Sequence, residues 1–533
     1  MIENWILTTL IFAPWVGAFL VMELHRKSPR IIRGVAFAIG IFCLACSLWL
    51  VANFETDIPG LQFNQSIPWL HFGLHRDLYY HVGVDGLGLI VVVLTALIFP
   101  IAQLASGKIG KNIAAYHALL LLLQGCAFGV FVIQDFFLWF LFWEISLFPS
   151  YFLIREWGGP GGRKAAFQFF LYTLAGSAFL LLGYIGLLFT SAGAQLGWDI
   201  FDFQNLSRAA AALNFEAHFS IESSLGTFHA SPLIYWLMLG VMAGFAVKVP
   251  LFPFHTWLPD TYAEAPAPVS MVLTGVLSKM GVYGFLRIAL PLFHWEICDL
   301  ANILLGLAVA GAIFSAAAAL AQQDLKRMAA YLSINHLSYC LIGIFACAIT
   351  LSSARHLLPY AAISSALGGV ILQIFSHGIT AAALFYLIGI LEERTGKRGL
   401  EDFGGLRAQA PVFTAAFCLI SFASLGLPGM SGFIAEFLIL KGSFVLAPMV
   451  TVGASVAVFI GAVVLIRVMK AVFHGPLNES LAGFHDLTSA EIIPLIPLIV
   501  LTLGIGIWPR LVLDLANPFC KTFTDILITG GVK

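Results

Sequence analysis

The sequence predicts an all-α polytopic membrane protein of about fourteen transmembrane helices, organised as two inverted repeats that each contain a broken helix. Three observations carry that reading. Of 533 residues, 60% are hydrophobic and only 10% charged, with a net charge of −1, whereas soluble domains carry roughly 25% charged residues. Apolar windows of about 20 residues, the length that crosses a hydrocarbon core, recur along the whole chain. Two of those windows are interrupted by proline and glycine beside ionisable residues, at Pro250, Pro253 and Pro259 and again at Leu425 to Gly429. The charge balance offers no basic or acidic excess for nucleic acid.

Taken in order, the windows place spans near 2–23, 31–52, 84–106, 113–132, 136–154, 165–192, 232–249, 265–290, 300–321, 324–349, 359–391, 411–445, 451–473 and 490–512. The first, Ile6 to Leu24, lacks a basic n-region and a small-residue cleavage site and is expected to be a retained span. The polar stretches Asn53 to Tyr80 and Ser191 to Ser231, the latter with Asp199, Asp202, Asn205, Arg208, Glu216 and Glu222, are expected to be extramembrane loops. The broken spans are the seventh and the twelfth, and an offset of five inverts their direction in the membrane. The chain accordingly divides into 1–112 (helices 1–3), 113–290 (first repeat, helices 4–8), 291–475 (second repeat, helices 9–13) and 476–533 (helix 14 and tail). The eight cysteines form no disulfide framework; Cys43 and Cys46 have CxxC spacing but lie mid-span without a partner His or Cys nearby.

Loop charges set the orientation. Seventeen Lys and Arg, among them Arg30, Lys108, Arg163, Lys326, Arg327, Arg398 and Lys470, fall in the loops after odd-numbered spans or at their ends, against six on the other side: Arg76, Arg208, Arg355, Arg510, Lys521 and Lys533. The positive-inside rule makes the first set cytoplasmic, so both termini are expected on the outer, periplasmic side. Lys248, Lys279, Arg287 and Lys441 remain, and the first two lie deepest.

A lysine at a helix centre in lipid costs roughly 3 kcal/mol, so such residues face a bundle interior and mark ion or proton paths. Lys248 stands before the first break and Lys279 in the next apolar helix. Glu144, in FFLWFLFWEISLFPSYF and five residues before Pro149, is too deep to snorkel to either surface. His336 shares a face with Ser333 and Tyr339, and His377 a stripe with Gln373; each could equally be a hydrogen-bonded packing histidine. Glu436 follows LGLPG and could instead satisfy backbone amides freed by the break. His255 and Glu264 flank the first break, where His255 could cap broken-helix carbonyls. Asp85, Asp135 and Asp324 sit at span ends as helix caps or loop anchors. The residues pair by half, Glu144 with Lys248 and His336 with Glu436, while Lys279 lies between the halves and His377 joins it to the second pair.

The segments GVDGLGL (83–89), FWEISLFPSYFLI (142–154), KVPLFPFHTWLPDTYAEAPAPVSMVLTGVLSKMGVYG (248–284) and LPGMSGFIAEF (427–437) resemble the proton-pumping, antiporter-like subunits of respiratory complex I, NADH-quinone oxidoreductase, over nearly the whole chain. The resemblance implies that the fifth-span glutamate Glu144 pairs with the seventh-span lysine Lys248, and that Lys279, His336 and His377 match family positions; the residues themselves support a relay from Lys248 through Lys279, His336 and His377 to Glu436, with His255, Asp135 and Glu264 in supporting places. A glutamate rather than a lysine in the twelfth span marks one branch of the family, and the long lateral helix of another branch is not expected. The resemblance also implies a translocase subunit in a bacterial inner membrane beside other antiporter-like subunits. NADH, FMN, iron-sulfur clusters and quinone belong to partner subunits, because this chain shows no dinucleotide glycine fingerprint, cysteine cluster or haem pair and no metal site. Two alternatives stay open. One is a subunit of a multisubunit cation/proton antiporter or membrane-bound hydrogenase; the other is a scaffold whose buried charges serve packing only.

Overall fold

The computed structural model describes residues 2–71, 77–188, 201–205, 222–223, 226–227, 232–349 and 360–529. Most of the Ser191 to Ser231 loop, including Asp199, Arg208 and Glu216, lies outside the described residues, as do Arg76, Arg355 and Lys533.

Among the described residues, twelve helices are long and apolar enough to cross a membrane. In chain order the helices are α1 (Ile2–Glu23), α2 (Pro29–Ala52), α3 (Gly86–Ala105), α4 (Ile113–Val132), α5 (Phe136–Trp157), α6 (Gly162–Leu188), α7 (Pro232–Lys248), α8 (Leu258–Glu264), α9 (Ala267–Leu292), α10 (His294–Ala321), α11 (Leu325–Ile349), α12 (Tyr360–Thr395), α13 (Pro411–Ser424), α14 (Ser431–Leu446), α15 (Pro448–Phe473), α16 (Ser489–Ile507) and α17 (Arg510–Thr529). Counting α7 with α8 and α13 with α14 as single broken crossings gives fourteen among the described residues, in agreement with the sequence.

Burial sorts these helices into an inner and an outer set. α3, α9, α11 and α12 are enclosed by the rest of the chain, whereas α2, α6, α15 and α16 keep an apolar face outward, with Phe179, Phe459 and Val500 exposed. Such faces suit lipid or a neighbouring membrane subunit, since lipid tails are as apolar as leucine. Glycine permits the closest helix approach near the chain end: a Cβ on Gly86, the first residue of α3, would meet the Leu515 carbonyl oxygen of α17 at 1.8 Å.

The stretch Asn53 to Tyr80, expected to be a loop, folds largely into an antiparallel hairpin of β1 (Gln62–His71) and β2 (Asp77–Val84) on the face that carries few Lys and Arg. Residues 201–205 dock beside it: the Phe203 amide donates to the Gln134 carbonyl at 3.0 Å and the Gln134 amide to that of His81 at 2.8 Å. The expected tail is helical too. In α17, Val512, Ala516, Phe519, Phe523 and Leu527 are buried while Leu511, Asp514 and Lys521 face outward, a 3.6-residue rhythm that lays the helix over the ends of α3 and α12. Beneath it Arg287 pairs with Asp85 at 2.6 Å and stacks on Phe519.

Candidate functional site

Proline breaks the seventh span just after Lys248, and the chain then supplies partners for the freed backbone groups, as a membrane interior requires. The Leu251 amide donates to the Ala246 carbonyl at 2.8 Å, and Trp257 Nε1 donates to that of Val247 at 3.0 Å. His255 is buried in the break, its ring stacked on Phe252 and edge-on to Phe314. Lys248 itself is buried without a hydrogen-bond partner among the described residues, its Nζ 4.8 Å from the Trp143 ring centroid. Glu144 follows Trp143 on α5, with Oε1 also buried and unpartnered. The two groups feel one another electrostatically but form no ion pair within 4.0 Å.

Lys279 is fully buried in α9 between two π-helical turns, Leu273–Leu277 and Phe285–Ala289. A π turn shifts the hydrogen-bond ladder and frees carbonyls, which makes it common at functional sites. The Lys279 amine bonds the Thr274 carbonyl, five residues back, and lies 2.9 Å from His377 Nδ1 of α12. Either the ammonium donates to that nitrogen or a neutral amine accepts from it, so the contact has the geometry of a proton transfer. The Thr274 and Ser333 hydroxyls are 3.0 Å apart and tie α9 to α11.

From His377 the file continues into the second half. Its ring centroid is 5.1 Å from that of His336, whose Nδ1 lies 3.1 Å from Glu436 Oε1 and 3.2 Å from Gln373 Nε2. One ring nitrogen cannot donate to a carboxylate and accept from an amide at once. With the proton on Nδ1, it donates to Glu436 and offers the Gln373 amide no lone pair. With the proton on Glu436, the carboxyl donates to Nδ1 instead. Gln373 thus completes a triad with two hydrogen-bonded forms that differ by one proton's position. Gly426, in the second break, has φ +79°, and a Cβ there would meet Glu436 Oε2 at 2.8 Å. The positive φ is what calls for glycine here, while Glu436 would have to shift its carboxylate to admit a side chain.

Polar atoms without partners among the described residues line this path: Gln373 Oε1, Ser376 Oγ and His377 Nε2. Two voids of about 10 Å³ adjoin them, one bounded by His336, Tyr339 and Glu436 and the other by Ser333, His336 and His377. Each has room for one water, the usual partner of such groups.

The remaining candidates lie at the two faces. Asp135 caps α5, accepting from the Leu138 amide at 3.1 Å, and faces Asp202, which contacts His81. Burial pushes the Asp135 carboxyl up to about 7, and the charge of Asp202 adds to the effect. Asp85 and Asp324 also cap, accepting from the Gly88 and Arg327 amides. Glu264 binds Arg398 at 2.8 Å and the Gly161 amide at 2.8 Å on the Lys/Arg-rich face.

The comparisons with known proteins agree with this architecture. The family profile described as NADH:quinone oxidoreductase/Mrp antiporter, transmembrane, matches residues 134–461, which contain both breaks and all six relay candidates. The chain belongs to this family. NADH-quinone oxidoreductase subunit M of Rhodobacter capsulatus is 33% identical over 96% of this chain and 95% of its own length. That of Pseudomonas aeruginosa is 34% identical over 96% of both. A chain from the respiratory complex I of Thermus thermophilus with bound NADH matches with a TM-score of 0.79 at 26% identity, over 97% of this chain and 99% of that one.

The Trp143 cation–π contact has no signal in the sequence, because a tryptophan within an apolar run reads equally as a packing residue. Lys326 had been counted as a loop charge, though its side chain is only 3% exposed. Its burial has no sequence signal beyond a place at the end of an apolar run.

Proposed function

We propose that this chain translocates protons across a bacterial inner membrane as a subunit of an NADH-quinone oxidoreductase, driven by redox chemistry in partner subunits. The observation that carries the reading is the buried file Lys279, His377, His336 and Glu436, whose members stand within hydrogen-bond or ring contact of the next. Moving one proton against 100 mV costs about 2.3 kcal/mol, and nothing in these residues supplies it. Lys248 and Glu144 load the first half, and Lys279 receives the proton between the halves. The triad of His336, Gln373 and Glu436 passes it onward by exchanging its two hydrogen-bonded forms. NADH, FMN, iron-sulfur clusters and quinone act in the partner subunits.

The test is NADH-driven proton uptake by the assembled complex in liposomes. Lys279→Ala should lower uptake and quinone reduction together by about tenfold or more, the scale of a lost proton-transfer group. Full rates in an assembled variant would return the buried charges to a packing role. A deletion strain that loses sodium resistance but keeps NADH oxidation would assign the chain to a cation/proton antiporter instead. The proposed orientation, with the Lys/Arg-rich face cytoplasmic, requires reporter fusions at Arg30 and Lys397 to read cytoplasmic and one between 206 and 221 to read external. The reverse pattern would overturn it.

A further inference from the structure

The relay needs a way in from the Lys/Arg-rich face, and a charged network there has so far no role. Lys326, at the start of α11, places Nζ 2.5 Å from Glu392 Oε2 of α12 and donates to the Ala265 carbonyl at 3.0 Å. The Lys326 side chain is nearly sealed off, whereas that of Glu392 is 30% exposed and reaches water. Arg398 borders the pair, bound to Asp324 at 2.6 Å, Glu264 at 2.8 Å, the Ala263 carbonyl at 2.8 Å and Glu392 at 3.6 Å. Asp260 and Arg327 form a separate pair at 2.6 Å.

Two features set Lys326 apart from a strut. Arg398 already joins the residues before α9 to the ends of α11 and α12, with a planar fork suited to holding several acceptors and no proton to give. Lys326 adds a compact ammonium that can release a proton, held by a single carboxylate. In addition, Ala329 and Ser333, three and seven residues along α11 from Lys326, line the one-water void shared with His336 and His377. Residues at i, i+3 and i+7 lie on one helix face, and Ser333 is about 10 Å further in along the axis.

We propose that Glu392 and Lys326 form the intake of the central relay, an assignment that rests on the proton-translocating reading above. Glu392 takes a proton from water and gives it to neutral Lys326, which restores the carboxylate and forms the ammonium. The ammonium returns to the amine as its proton passes through water in the void to His377 and Lys279. Each step moves one proton and no electrons.

Arginine and glutamine at position 326 separate this role from a structural one. Lys326→Arg keeps the positive charge beside Glu392 but cannot deprotonate; Lys326→Gln removes the charge. Proton uptake and quinone reduction, measured on complexes whose assembly is verified on native gels, should fall by about tenfold or more in both. Rates within about twofold of wild type in Lys326→Arg would make the pair a clamp and overturn the proposal. Should Lys326→Arg not assemble, Glu392→Gln decides, because it leaves Lys326 and its bond to Ala265 in place. A loss of several-fold in Glu392→Gln is expected, and wild-type rates would again overturn the intake. Lys279→Ala in the same preparations keeps the two readings apart: if it is active, the relay fails, and if it is inactive beside a fully active Lys326→Arg, only the intake assignment fails.

Discussion

In the second half of the molecule His336 lies 3.1 Å from Glu436, whereas in the first half Lys248 has no such contact with Glu144 and rests over the Trp143 ring at 4.8 Å. The second pair is closed, its charges or their shared proton satisfied by direct bonding. The first is open, with an unpartnered amine and an unpartnered carboxylate oxygen inside the bundle. An indole face attracts a buried cation by about 2 kcal/mol, which holds Lys248 without binding its proton to an acceptor. Removing one member of a buried pair and leaving the other unpaired is strongly unfavourable. The open half thus depends on water or on movement of Glu144 to complete it, while the closed half can exchange its proton where it stands.

The largest effect expected from breaking this comparison is in the open half. Glu144→Gln and Lys248→Ala should each lower NADH-driven proton uptake by about tenfold or more, with quinone reduction falling alongside. The double variant should be little worse than either single one, because groups acting as a unit are not additive. Additive losses, or normal uptake by an assembled Glu144→Gln complex, would show that the open pair is not a pair. In the closed half, Glu436→Gln should also block uptake while leaving assembly intact, since the isostere keeps hydrogen bonding but cannot cycle a proton. Glu436→Asp should keep part of the activity, and equal, near-normal uptake in both variants would reduce Glu436 to a partner of the helix break. A smaller effect is expected from Gly426→Ala, which forces a positive φ on a side chain and crowds Glu436. That strain is of order 1–3 kcal/mol and should appear as a lower thermal-inactivation temperature with a several-fold loss of turnover. An unchanged inactivation temperature would mean that the break relaxes freely.

The spans, both breaks and the burial of Lys248, Lys279, His336, His377 and Glu436 were legible in the sequence, because hydropathy records which residues cannot reach water, whereas Glu144 is only partly buried. It records nothing of how extramembrane segments pack on one another. The β-hairpin passed for a loop because its strands mix polar and apolar residues, and α17 passed for a tail because its apolar residues occupy only one face. The contacts of the relay were harder still. Gln373 and His377 sit four residues apart on one stripe, yet one meets His336 and the other Lys279. The π turns that bring the Thr274 carbonyl to Lys279 arise from packing, and no residue pattern announces them.

Three of the contacts described above share a single element. α12 runs unbroken for 36 residues, about 54 Å at 1.5 Å per residue, and carries Gln373, His377 and Glu392 against His336, Lys279 and Lys326. A rod without a hinge cannot shift its backbone under one of these contacts alone. An axial slip of this rod would shift the geometry of all three together, like the bolts of a lock moved by one bar. In the proposed relay, intake, transfer and onward release would thereby be coupled through one element, and a force applied to α12 from outside the chain would reach all of them together.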